Sequence, residues 1–114
     1  MMSNHLQLAV LTDPGTNENM RIDFLHLKKT MIILRAINHK LRQQLIKLLD
    51  ERKKMTVTEI YIEMRIEQSV ASQHLAILRR AGLVTASRDG KFIYYSINYK
   101  RVKQINDLAE AFVG

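Results

Sequence analysis

The stretch Ser69-Val70-Ala71-Ser72-Gln73-His74-Leu75-Ala76-Ile77-Leu78-Arg79-Arg80-Ala81-Gly82-Leu83-Val84 constrains this chain more than any other. Ala71, Leu75 and Leu78 recur at i, i+4 and i+7, the spacing of one helix face, and Gly82 ends the run. Ser69, Ser72, Gln73, Ala76 and Arg79 or Arg80 fall opposite. That opposite face is small and polar at its start and cationic at its end, where an ordinary surface helix carries long charged residues throughout. Small polar groups let a helix backbone approach a partner closely, with hydroxyl and amide groups ready to bond. Base edges in a DNA major groove ask for such a surface, and arginines further along reach phosphates. The same pattern also suits a plain solvated face, so the neighbouring stretches decide between the two.

Upstream, Thr56-Val57-Thr58-Glu59 has the form of a capping box, in which the Thr56 hydroxyl accepts from the Glu59 amide and the Glu59 carboxylate accepts from the Thr56 amide. It predicts a helix with Val57, Ile60, Tyr61 and Met64 inward that stops near Arg65. Ile66-Glu67-Gln68 then makes a tight connection into the opening stretch, and two short helices so joined are a helix-turn-helix. Past Gly82 the period changes from helical to extended. Leu83 to Arg88 and Lys91 to Ile97 are strand-like runs about Asp89-Gly90, a pair that suits a two-residue type I′ turn. A hairpin directly after a recognition helix is a wing, and Arg88 and Lys91 flank its tip. A cationic tip lies along a phosphate backbone or enters a minor groove. The alternative is that the two charges only keep the hairpin soluble.

From about Arg21 to Ile37 the chain is helical in pattern and apolar nearly all round, with Ile22, Phe24, Leu25, Leu27, Met31, Ile32, Ile33, Leu34 and Ile37. One face is expected on the core and the other on a second subunit; a single central core helix is the alternative. Asn38 is a candidate cap for the next helix, which runs to about Arg52 with Leu41, Leu45, Leu48 and Leu49 inward. Lys40, Arg42, Lys47, Arg52, Lys53 and Lys54 make it the most basic region, a solvated face of which some members could also sit near phosphate. Residues 99–113 carry a second stripe, Val102, Ile105, Ala109 and Phe112. It either pairs with the first helix as a dimer seam or closes the monomer core. At the other end, Leu6, Leu8 and Val10 alternate as in a strand, while Leu6, Ala9 and Val10 suit a helical turn, and both remain open. Thr12-Asp13-Pro14-Gly15-Thr16-Asn17-Glu18-Asn19 is dense in turn formers. The expected organisation is an arm and loop over 1–20 and a winged helix-turn-helix over 21–114, a mainly α fold with a small β-hairpin.

Length and composition agree. The 114 residues suffice for one domain with a modest core. Lys and Arg number 18 against 11 Asp and Glu, a net charge of +7, which favours polyanions: nucleic acid first, an anionic membrane second. The lack of cysteine removes disulfides, thiolate metal sites and thiol redox sensing. No apolar run approaches the roughly 20 residues of a membrane span, and Met1-Met2-Ser3-Asn4-His5 lacks the charged start of a signal peptide, so a cytoplasmic protein is expected. An enzyme is not expected: there is no phosphate loop, nucleophile elbow, His-Glu-x-x-His motif or catalytic carboxylate pair, and Asp50-Glu51 reads as solvated charge.

Over roughly residues 30–100 the chain resembles the ArsR/SmtB family of small bacterial winged-helix repressors. The resemblance rests on Ser69-x-x-Ser72-x-His74-Leu75-x-x-Leu78-x-x-Ala81-Gly82-Leu83-Val84, on Arg88-Asp89-Gly90-Lys91 with Tyr94-Tyr95-Ser96-Ile97, and on Ala36-Ile37-Asn38-His39-Lys40-Leu41-Arg42. It implies a homodimer through the first and last helices that binds double-stranded DNA at an inverted repeat and blocks polymerase. The seam would use Ile22, Leu25, Ile32, Ile33, Val102, Ile105, Ala109 and Phe112. The resemblance places Gln68, Ser69, Ser72 and Gln73 at base-facing positions, and Thr56, Thr58, Arg79, Arg88 and Lys91 near phosphates or in the wing. His74 matches a family histidine, and its place beside Leu75 points to a structural role satisfied by a backbone group.

Two departures stand out. Glu67 occupies a capping position where the family favours Ser, Asp or Asn. The family's metal sensors are missing: Glu59-Ile60-Tyr61-Ile62-Glu63-Met64 has no Cys-x-Cys, and residues 99–113 hold Asp107 and Glu110 but no histidine. Asp23 and His26 share the right helix spacing for a metal, yet two ligands make no selective site. No metal and no cofactor are therefore expected, and any small-molecule effector stays open. The competing function is a winged-helix module that binds protein instead of DNA. Such modules often lack the basic residues that this chain has at Arg79, Arg80, Arg88 and Lys91.

Overall fold

The computed structural model describes residues 7–114, so Leu6 and the stretch Met1 to His5 lie outside the described residues. Two compact units divide the chain, one ending at Ile32 and one spanning Ile33–Gly114.

In the first unit, strands β1 (Leu8–Thr12) and β2 (Asn19–Asp23) pair antiparallel, with Ala9 opposite Ile22 and Leu11 opposite Met20. The alternation of Leu8 and Val10 is therefore that of a strand, and the turn-rich stretch is the tip of a hairpin rather than a linker. Asp13 organises that tip: its Oδ1 accepts from Gly15 N at 2.8 Å and its carbonyl from Asn17 N at 2.8 Å. Helix α1 (Phe24–Ile37) follows directly. It starts later than the expected Arg21, because Asn19–Asp23 is held in the β-ladder and Asp23 Oδ1 caps the helix, accepting from Leu25 N at 3.0 Å and His26 N at 3.2 Å. Ile22 thus sits on a strand, not on the helical seam face expected of it.

The second unit opens with the last residues of α1. Ala36 is buried and Ile33 and Ile37 pack on the core. Helix α2 (Lys40–Arg52) buries Leu45, Leu48 and Leu49, while Leu41 is half-buried. Its cap is His39, not Asn38: the extended His39 accepts from Leu41 N through Nδ1 at 3.1 Å. Asn38 N still points back to the Leu34 and Arg35 carbonyls, so the chain has not left α1 at Asn38 and turns one residue later. Helix α3 (Val57–Met64), helix α4 (Gln68–Arg80), strands β3 (Val84–Asp89) and β4 (Phe92–Ile97), and helix α5 (Tyr99–Val113) complete the order. A bridge between Met55 and Tyr95 ties the segment before α3 to β4.

The core lies where α2, α3, α4 and the hairpin base meet. Leu45, Leu49, Ile60, Leu75, Leu78, Leu83 and Val84 are fully enclosed, each stabilising the fold by roughly 1.5–3 kcal/mol relative to exposure. The stripe on α5 divides: Val102 and Ile105 pack against this core, whereas Ala109 and Phe112 are exposed. The wing turn is also shifted by one residue. Asp89 pairs with Phe92, so the loop is Gly90-Lys91, with positive φ (+63°) at Gly90 alone. Glycine at the first central position, with no positive φ at the second, is the type II′ pattern rather than the expected type I′.

Candidate nucleic-acid interface

The capping box forms in full. Thr56 Oγ1 accepts from Glu59 N at 3.2 Å, and Glu59 Oε1 accepts from Thr56 N at 2.9 Å and from Thr56 Oγ1 at 3.1 Å. These bonds hold the Glu59 carboxyl below its ordinary value, the Thr56 backbone contributing most and its side chain next. They also occupy the Thr56 hydroxyl, so of the two threonines expected near phosphate only Thr58, exposed two residues on, has its hydroxyl outside the cap. Arg65 ends α3 in the left-handed region (φ 56°, ψ 48°), and its N–H and that of Ile66 return to the Ile62 and Tyr61 carbonyls. That tight end sets the angle between α3 and α4.

Helix α4 starts at Gln68 with Glu67 as N-cap, and the Glu67 side chain makes no capping bond. The departure from the family's capping residues therefore leaves the first amides of α4 without a side-chain acceptor from the N-cap. Ala71, Leu75 and Leu78 are buried, and Gln68, Ser69, Ser72, Gln73, Ala76, Arg79 and Arg80 are exposed. The four base-facing candidates thus share the outer surface of the first two turns, and the arginines follow them. A concavity of about 410 Å³ runs beside this face, lined by Ser72, Ala76, Arg79, Arg80, Leu75 and Tyr95 of the wing.

The wing adds two cations near its tip, Arg88 and Lys91. Arg88 Nε donates to the Gly90 carbonyl at 3.2 Å, and Lys91 Nζ lies 5.5 Å from the Phe92 ring centroid. Among the described residues Arg79, Arg80, Arg88 and Lys91 take part in no ion pair. The pairs that form are Asp23–His26, Arg52–Glu63, Asp50–Lys53 and Lys103–Asp107, all elsewhere. These four cations of the α4 and wing surface are therefore not held in ion pairs with the described carboxylates. A second hollow of about 370 Å³ joins the start of α3 to the wing through Thr56, Thr58, Glu59, Phe92 and Tyr94. In the sequence Phe92 goes unremarked and Tyr94 enters only as part of the family resemblance; the signal for both is their alternation on β4. Lys54 Nζ lies 4.9 Å from the Tyr94 ring centroid.

His74 is half-buried and structural, but its partner is a side chain and not the expected backbone group. Arg42 Nη1 lies 3.1 Å from His74 Nδ1, and the His39 ring centroid is 4.8 Å from that of His74. Burial first, then His39, then Arg42 lower the His74 pKa from its ordinary value. Asp23 and His26, flagged for metal spacing, are in contact at 3.4 Å, while the other Asp23 oxygen is spent capping α1. Among the described residues no group of three or more His, Cys, Asp or Glu gathers as a metal site would require, and no helix is long and apolar enough to cross a membrane.

Residues 39–86 match the family described as bacterial regulatory protein, arsR family. The chain is 36% identical over 83 residues to an uncharacterized HTH-type transcriptional regulator of Methanocaldococcus jannaschii, covering 73% of this chain and 93% of that one. It is 32% identical over 85 residues to the transcriptional repressor PagR of Bacillus anthracis, covering 75% of this chain and 85% of PagR. The PagR crystal structure superposes with a TM-score of 0.62 and 31% identity, covering 76% of this chain and 99% of that one. A homodimeric winged helix-turn-helix DNA-binding domain from Mycobacterium bovis, solved in solution, superposes with a TM-score of 0.65 and 26% identity, covering 77% of this chain and 81% of that one.

Proposed function

The chain belongs to the arsR family of bacterial regulatory proteins, and from that premise we propose that it is a homodimeric repressor whose two α4 helices read an inverted-repeat operator. DNA-binding transcription regulation is the family's activity, not catalysis. The observation that carries the finer reading is the outer face of α4. Burial of Ala71, Leu75 and Leu78 leaves Gln68, Ser69, Ser72 and Gln73 exposed together, with unpaired Arg79 and Arg80 behind them. In this reading the four polar side chains meet base edges in a major groove. Arg79, the Thr58 hydroxyl and the wing residues Arg88 and Lys91 meet phosphates and fix the register. Thr56 serves by holding α3 in place.

Dimerisation gives the reading its symmetry. The exposed Ile32 of α1 and the exposed Ala109 and Phe112 of α5 are apolar positions that a second copy would cover, and Leu25, Ile33, Val102 and Ile105 are each half-buried. Repression follows when the bound dimer blocks polymerase; the relative PagR is named a transcriptional repressor. The site of action is the cytoplasm, where the DNA is.

Selection of bound duplexes from a random pool tests the reading. It should enrich an inverted repeat with half-site centres about 10–10.5 base pairs apart, or a multiple of that. Affinity should fall steeply with salt, as expected when several phosphates are neutralised. A pool that shows no enriched sequence after selection, together with capture of a protein partner by the same surface, would contradict it.

A further inference from the structure

One side chain joins the end of α1 to α4. Arg42, in the first turn of α2, donates from Nε to the Ala36 carbonyl and from Nη2 to the Arg35 carbonyl at 3.3 Å, so it holds the last turn of α1. Gln43 Nε2 adds a bond to the Ile37 carbonyl at 3.0 Å. The remaining arm of the Arg42 guanidinium reaches across to His74 Nδ1 at 3.1 Å. A guanidinium only donates, so Nδ1 must accept, and the single imidazole proton must sit on Nε2. The bond therefore exists only while His74 is neutral.

Burial, the His39 ring and the Arg42 guanidinium all work against a cation on His74. On its own helix the residues three and four positions away are Val70, Ala71, Ile77 and Leu78, none of them charged. From the α2 side the facing groups are Arg42 and the N-cap His39, whose own Nδ1 accepts from Leu41 N. Among the described residues no carboxylate forms an ion pair or hydrogen bond with either ring. His74 directly follows the exposed Gln73, yet is itself half-buried against Arg42 and His39.

We propose that Arg42 and His74 form a proton-sensitive strut that positions the recognition helix relative to the end of α1. With Nδ1 free, Arg42 ties α4 to the last turn of α1. A proton taken from solvent onto Nδ1 removes the acceptor, places a second cation against the guanidinium, and releases α4. His74 touches no base in this account; it is a positioning residue, and DNA selectivity falls as the medium is acidified. The inference rests on the reading of α4 as the DNA-reading helix. It runs against the ordinary trend, since protonation of exposed histidines adds positive charge and strengthens non-specific binding.

The test compares the wild type with His74→Asn, whose Oδ1 can take the place of Nδ1 and accept from Arg42 without titrating. The probes are a duplex enriched from a random pool by the wild type at about pH 7.5 and an unrelated duplex of equal length, at fixed ionic strength. Between about pH 7.5 and 5.5 the ratio of the two affinities should fall at least about tenfold for the wild type and less than about threefold for His74→Asn. Arg42→Gln should show a low ratio that does not vary with pH. A wild-type ratio that holds, or a parallel fall in His74→Asn, would overturn the strut. Amide hydrogen exchange over residues 68–80 supplies a readout without DNA: corrected for intrinsic rates, protection should drop on acidification in the wild type alone. If no duplex is enriched, the operator reading fails, while the exchange measurement still decides whether the strut exists.

Discussion

Gln73 and Thr56 illustrate two kinds of side chain in the interface, one facing outward with nothing to bind and one already fully engaged. Gln73 is exposed on the second turn of α4, and a bidentate amide contact to adenine would account for its type. Gln73→Ala should cost about 1–3 kcal/mol of discrimination at one base pair, measured by competition between the selected duplex and single-base variants, with stability unchanged. Thr56→Ala should act on stability, lowering it by about 1 kcal/mol in urea denaturation, because its hydroxyl caps α3. The Glu59 carboxyl is held below its ordinary value of 4.5, so the unfolded chain takes up that proton first. Its contribution is present above about pH 4.5 and is lost as pH falls through the lower folded value. Glu59→Gln should therefore be less stable at neutral pH and lose less on acidification, read from urea midpoints at several pH values. Side chains that satisfy local backbone, such as Thr56, were legible in the sequence because the cap is a local pattern. The Arg42–His74 contact was not, since it joins positions 32 residues apart and no local period encodes it. Asn38 and His39 compete for one cap, and intrinsic preference favours Asn; the pull of the α1 carbonyls on Asn38 N decides for His39.

At the scale of elements, the helix-turn-helix and wing were legible because hydrophobic period and turn chemistry agree there. Gly82 is an instance. It ends α4 at φ +75°, and a Cβ built on it would lie 3.3 Å from Arg101 Nε. Gly82→Ala should lower stability by roughly 1–2 kcal/mol from the left-handed backbone, with thermal denaturation as the check. A loss much smaller than that would mean the junction relaxes out of the positive-φ region. The wing turn was misplaced by one residue because Asp-Gly and Gly-Lys both make legal two-residue loops, and only the ladder register, Asp89 opposite Phe92, separates them. The first hairpin was missed in half. Leu8 to Thr12 alternates weakly, Asn19 falls in the turn-rich stretch, and Arg21 to Asp23 read as part of the helical pattern of the apolar residues that follow. A short strand beside a strongly apolar helix start gives a mixed period, and pairing with a partner strand, not local preference, settles it.

At the scale of the whole molecule, the account depends on symmetry. The proposed dimer is supported by the homodimeric Mycobacterium bovis domain that the chain resembles, and the exposed end of α5 marks where a second copy would add contact. Phe112 is 86% exposed in the single chain, so Phe112→Glu should leave circular dichroism unchanged. It should shift the mass from dimer toward monomer by light scattering, and weaken binding to the selected duplex at least about tenfold through lost avidity. A dimer of unaltered mass and affinity would show that α5 ends outside the seam.

The central claim is that the outer face of α4, used twice, reads the operator. Duplex selection carried out in parallel with the wild type and Gln73→Ala tests it most directly. The account predicts that the wild type enriches an inverted repeat and that the variant enriches the same repeat with preference lost at one position, mirrored in both half-sites. An identical motif from both proteins, or a change confined to one half-site, would contradict it.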